Sequence, residues 1–134
     1  MHRIMFVCHG NICRSTMAEF LMKDLVKKNN KQNEYIIASS GTSSEELGNP
    51  VHYGTRKILN QRGIDCSGKY AVTLKKADYD KYDYFICMDQ RNWGNMLRIF
   101  GTDKENKEAS LTYRVKKSIV RYVFDRRQGQ KIFL

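Results

Sequence analysis

Hydrophobic and polar positions along the chain change their period several times, and each change predicts an element. Ile4-Met5-Phe6-Val7 is a short continuous apolar run of the kind that forms a strand buried on both faces. A polar turn containing Gly10 follows. From Ser15 the spacing becomes helical, with Met17, Phe20, Leu21 and Leu25 near one face, and Thr16 with Glu19 three residues on has the form of a capping box. The polar stretch from Lys27 to Asn33 ends that helix. Tyr35-Ile36-Ile37-Ala38 then predicts a second strand leading into Ser39-Ser40-Gly41-Thr42.

A long polar loop runs to Pro50, and residues 51–62 read as a helix with Ile58 and Leu59 inward and Gly63 just past its C-terminus. Leu74 to Lys81 has room for another helical turn. Tyr84-Phe85-Ile86-Cys87-Met88 predicts a third strand, and Asp89 stands as a cap before Trp93, Met96, Leu97 and Phe100, a helical spacing closed by Gly101. Strands alternating with helices predict an α/β fold: an open, mainly parallel sheet with helices on both faces and right-handed crossovers. Beyond Gly101 the pattern fades. Residues 111–115 and 119–124 favour strand, residues 125–131 are hydrophilic, and no closing C-terminal helix is predicted.

Composition narrows the class. The 134 residues, 41% hydrophobic, suit one domain over 1–134 with residues 102–134 atypical. One proline, nine glycines and a charged fraction of 28% exclude collagen-like, low-complexity and strongly disordered chains. The net charge of +10 suits an anionic ligand, but it is unevenly placed: residues 111–134 carry seven basic side chains against one acidic, Asp125. No apolar run approaches a membrane span or a secretory core, so the expectation is a cytoplasmic protein with no membrane partner. Cysteines at 8, 13, 66 and 87 match neither a secreted disulfide framework nor paired zinc knuckles, and read as thiols of a reducing compartment.

The densest chemistry lies in Cys8-His9-Gly10-Asn11-Ile12-Cys13-Arg14-Ser15, between a predicted strand and a predicted helix, where open α/β sheets bind ligands. Five residues between Cys8 and Arg14 let the loop curl so that successive N–H groups point inward, an anion nest capped by the positive end of a helix. A dianionic phosphoryl group fits such a ring. The same amides, the helix terminus and Arg14 favour the Cys8 thiolate as a nucleophile. Arg14 offers a planar fork for two phosphoryl oxygens, whose benefit grows as the transferring group becomes trigonal. Ser15 is placed to donate to the sulfur and ease its departure.

This run, from Ile4 to Glu19, resembles the signature of the low-molecular-weight protein tyrosine phosphatases. The resemblance continues through Ser39-Ser40-Gly41-Thr42, Gly48-Asn49-Pro50, Arg62-Gly63-Ile64 and Cys87-Met88-Asp89 with Asn92, and covers about residues 3–101. It implies phosphotyrosine hydrolysis through a cysteinyl-phosphate, with Cys8 as nucleophile, Arg14 as phosphate clamp and Ser15 assisting the thiolate. His9, Gly10, Asn11, Ile12 and Cys13 complete the phosphate loop, and Asn11 braces it by hydrogen bonding near Ser39. Cys13 would trap oxidised Cys8 as a reversible disulfide; the alternative for Cys13 is a small buried filler. Where arginine-phosphate members carry threonine, this chain has Ile12, which resembles the phosphotyrosine branch. Glu45 stands where many members carry an aromatic residue.

The chain departs from the family in its tail. Phosphomonoester cleavage needs an acid over the loop, which the family takes from an Asp-Pro-aromatic segment. Here Pro50 is the only proline, and after Glu108 the only carboxylate side chain is Asp125, without matching flanks. The general acid is therefore unassigned, and a truncated or frame-altered terminus and a divergent tail are both open. Loss of the closing helix would expose a sheet face and favour self-association. Expected ligands are a phosphotyrosine protein or small aryl phosphate and inorganic oxyanions. No cofactor or metal is expected, because cysteine-based phosphate chemistry needs none and His2, His9 and His52 have no ligand spacing with the cysteines. Two rivals stay open. One is an arsenate reductase of the same fold, disfavoured because Cys66 and Cys87 are 21 positions apart. The other is a non-catalytic phosphate or nucleic-acid binder using the basic tail, with Tyr113, Tyr122 and Phe124 among its cations but no recognised nucleic-acid motif.

Overall fold

The computed structural model describes residues 1–101, together with the backbone of short strands at 108–110, 122–123 and 131–132. The main sheet is built on β1 (His2–Cys8), flanked by β2 (Tyr35–Gly41) and β3 (Tyr84–Cys87), with β4 (Glu108–Ser110) outside β3. All three pairings are parallel. Strands β5 (Tyr122–Val123) and β6 (Lys131–Ile132) form a separate antiparallel pair. Asp125 lies outside the described residues, as do the aromatic and cationic side chains of the tail.

Alternation along β1 builds the core on both sides, as a strand buried on two faces requires. Ile4, Phe6 and Cys8 pack with Ala18, Met22 and Val26 of α1 (Arg14–Lys28), while Met5 and Val7 pack with Phe85, Met96 and Phe100 on the side of α3 (Gln90–Phe100). A third cluster joins Leu21 of α1 to Leu59 of α2 (Tyr53–Gln61), with Val51, Ile64 and Cys66. Helices therefore cover both faces, as the alternating pattern predicts. The order β2-β1-β3-β4 sends the connection after β1 one way and the connection after β3 the other, so a crevice opens at the C-terminal ends of β1 and β3.

Two local expectations are corrected. Thr16 and Glu19 form no capping box: the helix starts at Arg14, with Cys13 as N-cap three residues before Thr16 and no side-chain cap bond. Thr16 sits inside the first turn and donates to the Cys13 carbonyl at 2.8 Å, and Glu19 turns toward β2 instead. Ile58 does not face inward. The buried stripe of α2 runs through Thr55 and Leu59, one turn apart, which leaves Ile58 beside it and 41% exposed. Asp89 caps α3 as expected, accepting from the Asn92 N–H at 2.8 Å, and a 3-10 turn occupies Lys76–Lys81.

Among the described residues, no helix is long and apolar enough to cross a membrane.

Candidate phosphate-binding site

Cys8 ends β1 and is 3% exposed, so its sulfur lies at the bottom of the crevice. The loop from Cys8 to Arg14 is held by its carbonyls. Those of Cys8, His9 and Ile12 accept from the backbone N–H groups of Thr42 (2.9 Å), Ser43 (3.0 Å) and His52 (2.7 Å), and that of Cys13 accepts from Met17 (2.9 Å). In a trans peptide the N–H points opposite to the C=O. Tying these four carbonyls outward therefore turns the N–H groups of His9, Gly10, Cys13 and Arg14 the other way, toward the ring. Asn11 adopts a φ of 60°, a left-handed conformation that asparagine tolerates, and its N–H reaches Cys8 Sγ at 3.3 Å. The first turn of α1 adds N–H groups that no side chain caps.

Beneath the loop lies a buried polar network. Ser15 Oγ is 3.0 Å from Cys8 Sγ; Asn11 Nδ2 donates to Ser15 Oγ and to Ser39 Oγ, each at 2.9 Å; and Asn11 Oδ1 accepts from the Val72 N–H at 3.0 Å. Asn11, Ser15 and Ser39 are all essentially inaccessible, so these partners replace the water they lost. Ser39 Oγ donates to Glu19 Oε1 at 2.5 Å, and Lys69 Nζ donates to the Ser39 carbonyl at 2.9 Å. Burial holds the Lys69 ammonium below the ordinary lysine range, against support from Glu19.

Gly41, at the end of β2, is where the sheet meets the loop. A Cβ there would lie 2.6 Å from the His9 carbonyl oxygen and 3.2 Å from the Asn11 nitrogen. Only glycine permits this approach.

Arg14 leaves the loop with its guanidinium 2.7 Å from Asp89 Oδ2, bridging the ends of β1 and β3 across the crevice. Both side chains are more than a third exposed. Burial raises the Asp89 carboxyl, but hydrogen bonds from Arg14 and from the Asn92 and Arg91 N–H groups, with the Arg14 charge, outweigh it and hold the group below the usual carboxylate value. At the rim, His9 Nε2 lies 3.2 Å from Glu45 Oε2, with both groups open to solvent.

The fold thus links Cys8, Ser15 and Ser39 through hydrogen bonds that meet at Asn11, which reaches Ser39 as expected from the sequence. Cys13 is not a buried filler: it is exposed and accepts from Thr55 Oγ1 at 3.2 Å. Ile12 is half-buried. Reading the sequence alone missed Glu19 as a site residue, Lys69, the contact role of Gly41 and the hold of Asp89 on Arg14. Glu19 carried one usable signal, a carboxylate on the apolar side of its helix; the others depend on pairings that no local pattern encodes.

A loop of inward amides around a cysteine sulfur, at the switch point of a parallel sheet and with an arginine at its exit, defines an α/β protein of the cysteine phosphate-loop class. The chain belongs to the low molecular weight phosphotyrosine protein phosphatase family, whose family model matches residues 3–120. It is 40% identical over 101 residues to the low molecular weight protein-tyrosine-phosphatase YfkJ of Bacillus subtilis, covering 75% of this chain and 65% of that protein. To PtpA of Staphylococcus aureus, of the same description, it is 43% identical over 96 residues, 72% of this chain and 60% of the relative. The chain thus spans somewhat less than two thirds of the curated relatives it matches. The crystal structure of B. subtilis YfkJ superposes with a TM-score of 0.81 at 36% identity, over 90% of this chain and 76% of that one.

Proposed function

We propose that the chain is a phosphomonoester hydrolase acting on phosphotyrosine in proteins, or on small aryl phosphates, through a cysteinyl-phosphate intermediate. The observation that carries this is the arrangement around Cys8 Sγ: a buried sulfur facing Ser15 Oγ at 3.0 Å and the Asn11 N–H at 3.3 Å, inside a loop whose carbonyls are drawn outward. The inward amides bind the phosphoryl oxygens. The Cys8 thiolate attacks phosphorus, the P–O ester bond breaks, and the leaving oxygen takes a proton. Water then attacks the thiophosphate and releases a proton to solvent, the P–S bond breaks, and the electron pair returns to sulfur, where the Ser15 hydroxyl stabilises it. Arg14 swings between Asp89 and the phosphoryl oxygens, holding two of them as the group becomes planar. Ile12 and the names of the relatives favour phosphotyrosine over phosphoarginine. Inorganic phosphate is the product and a competing ligand, and the reading places the protein in the cytoplasm.

The leaving-group proton has no assigned source. No Asp-Pro segment is present, and Asp125 lies outside the described residues. Arsenate reduction is disfavoured by the other cysteines: Cys66 packs with α2 and Cys87 lies within β3, in separate clusters. Burial first, and the Asp65 charge second, push the Cys66 thiol up, the opposite of what a relay needs.

Stopped-flow hydrolysis of an activated aryl phosphate beside a phosphotyrosine peptide, with wild type and Cys8→Ser, tests the reading. A Cys8-dependent burst or turnover on the activated ester is expected, with slower turnover of the peptide. No Cys8-dependent reaction from folded protein would reduce the site to a phosphate binder.

A further inference from the structure

The hydrogen bonds beneath the loop have a direction, and it is set at the end farthest from the sulfur. A carboxylate only accepts, so the Ser39 hydroxyl hydrogen is committed to Glu19 Oε1. Ser39 Oγ is then the acceptor for one hydrogen of Asn11 Nδ2, whose other hydrogen goes to Ser15 Oγ. The Val72 N–H fixes the amide this way round by occupying Oδ1. With its oxygen already accepting, Ser15 has its own hydrogen left for Cys8 Sγ. A charge on Glu19 therefore leaves the cysteine sulfur facing a donor.

Glu19 is 3% exposed, where a carboxylate needs a counter-charge. Lys23, one turn along α1, reaches Oε2 at 2.5 Å from a side chain 44% exposed. Lys69 lies 3.5 Å from Oε1, the oxygen that also takes the Ser39 hydrogen, and its side chain is only 14% exposed. It holds the Ser39 carbonyl directly, and the Ser39 hydroxyl is held by the carboxylate that Lys69 pairs with. We propose that Lys69 is a positioning residue for Cys8: it supplies the buried counter-charge that, through Glu19, Ser39, Asn11 and Ser15, commits a hydrogen-bond donor to the cysteine sulfur. This rests on the reading of Cys8 as the reactive thiolate. The charged and titratable groups around Lys69 are Glu19 and Lys23 on α1 and Cys8 on the loop. Arg56, Asp65 and Cys66 share with it the walls of a cavity of about 290 Å³.

The test is alkylation of Cys8 by iodoacetate, quantified by peptide mass spectrometry so that labelling of exposed Cys13 is counted separately. A hydrogen bond that favours the anionic sulfur matters most where protons are abundant, so Lys69→Met is expected to slow Cys8 alkylation about tenfold at about pH 6. At about pH 9, where hydroxide is about a thousandfold more abundant than at about pH 6, the variant should lie within about twofold of wild type. Lys69→Arg restores the charge in a site with adjoining space, and should bring alkylation at the lower pH back to near the wild-type rate. If Lys69→Met does not fold, Glu19→Gln replaces the acceptor-only carboxylate with an amide that can also turn a donor toward Ser39, removing both the charge and the commitment of the Ser39 hydrogen, and is expected to show the same loss at the lower pH. Unchanged alkylation at both pH values overturns the proposal. So does an equal loss at both, which marks a merely structural brace. The low-pH loss in a protein whose wild type hydrolyses no aryl phosphate would support the positioning role and overturn the phosphatase reading instead.

Discussion

Gly41→Ala isolates the contact between sheet and loop without removing a polar group. The added methyl would stand 2.6 Å from the His9 carbonyl oxygen, 3.1 Å from the Gly10 carbonyl carbon and 3.2 Å from the Asn11 nitrogen, all backbone atoms with no rotamer to yield. Reaching ordinary contact with the oxygen requires about 0.8 Å of movement. The strand is poorly able to supply it, because Gly41 donates to the Val72 carbonyl at 2.8 Å and accepts from the Leu74 N–H at 2.7 Å, and it pairs with Cys8. The loop gives way instead, which pulls the His9 and Asn11 peptides out of register with an oxyanion. Overpacking of this kind costs about 1–3 kcal/mol of stability, and for a chain of this size each kcal/mol lowers Tm by roughly 3–5 °C. A displacement approaching 1 Å at a reacting centre costs on the order of a hundredfold in rate. The expected variant is therefore folded, somewhat less stable, and at least about tenfold weaker in both phosphate affinity by calorimetry and kcat/KM on an activated aryl phosphate. A variant with wild-type phosphate affinity and turnover would refute the argument that this glycine sets the loop geometry.

Asp89→Asn retains a capping side chain for α3 but removes the charge that holds Arg14, so kcat/KM is expected to fall about tenfold with a smaller change in Tm. Because the folded Asp89 carboxyl lies below its ordinary value of 3.8, its stabilisation is present above that value and is lost as the pH falls through the depressed one. The stability gap between wild type and Asp89→Asn in urea should accordingly be full at neutral pH and close in strong acid; a gap independent of pH would contradict the pairing. Asn11→Ala strands the Ser39, Ser15 and Val72 partners and places alanine at a φ of 60°, a combined cost of about 2–5 kcal/mol measurable by urea unfolding. Leu59→Ala, in the cluster that joins α1 to α2, is expected to cost about 2–5 kcal/mol while leaving phosphate affinity per folded molecule unchanged.

What the sequence disclosed depended on how local the cause was. The β1–loop–α1 segment was readable because apolar run, glycine turn and helical spacing lie within one stretch, and the chemistry of Cys8, Arg14 and Ser15 is local to the same turn. Asn11 and Ser39 required a resemblance, since nothing in either segment says that β2 lies beside β1. Asp89 was legible as a helix cap, a local property, but not as the partner of Arg14, which follows from β3 taking the opposite side of β1. Thr16 and Glu19 had the spacing of a capping box. They miss it because the loop's own closure places the helix start at Arg14, and Glu19 is drawn to Ser39 in the neighbouring strand. Ile58 was misplaced by a single position, which on a helix is enough to move a side chain off the buried stripe.

The outward-drawn carbonyls of the loop have a consequence for the energetics of the whole chain. Their partners, Thr42, Ser43 and His52, come from segments that reach the loop only when β2 is paired with β1 and α2 is docked on α1. The receptor for an oxyanion is thus a property of the completed fold and has no counterpart in the unfolded ensemble. By mass action, a ligand that recognises only the native state deepens its free-energy well in proportion to the logarithm of ligand concentration, by about 2.7 kcal/mol at a hundred times Kd. On the proposed function, inorganic phosphate is then expected to act as a folding ligand for this protein, and resistance to heat or proteolysis should rise with added phosphate.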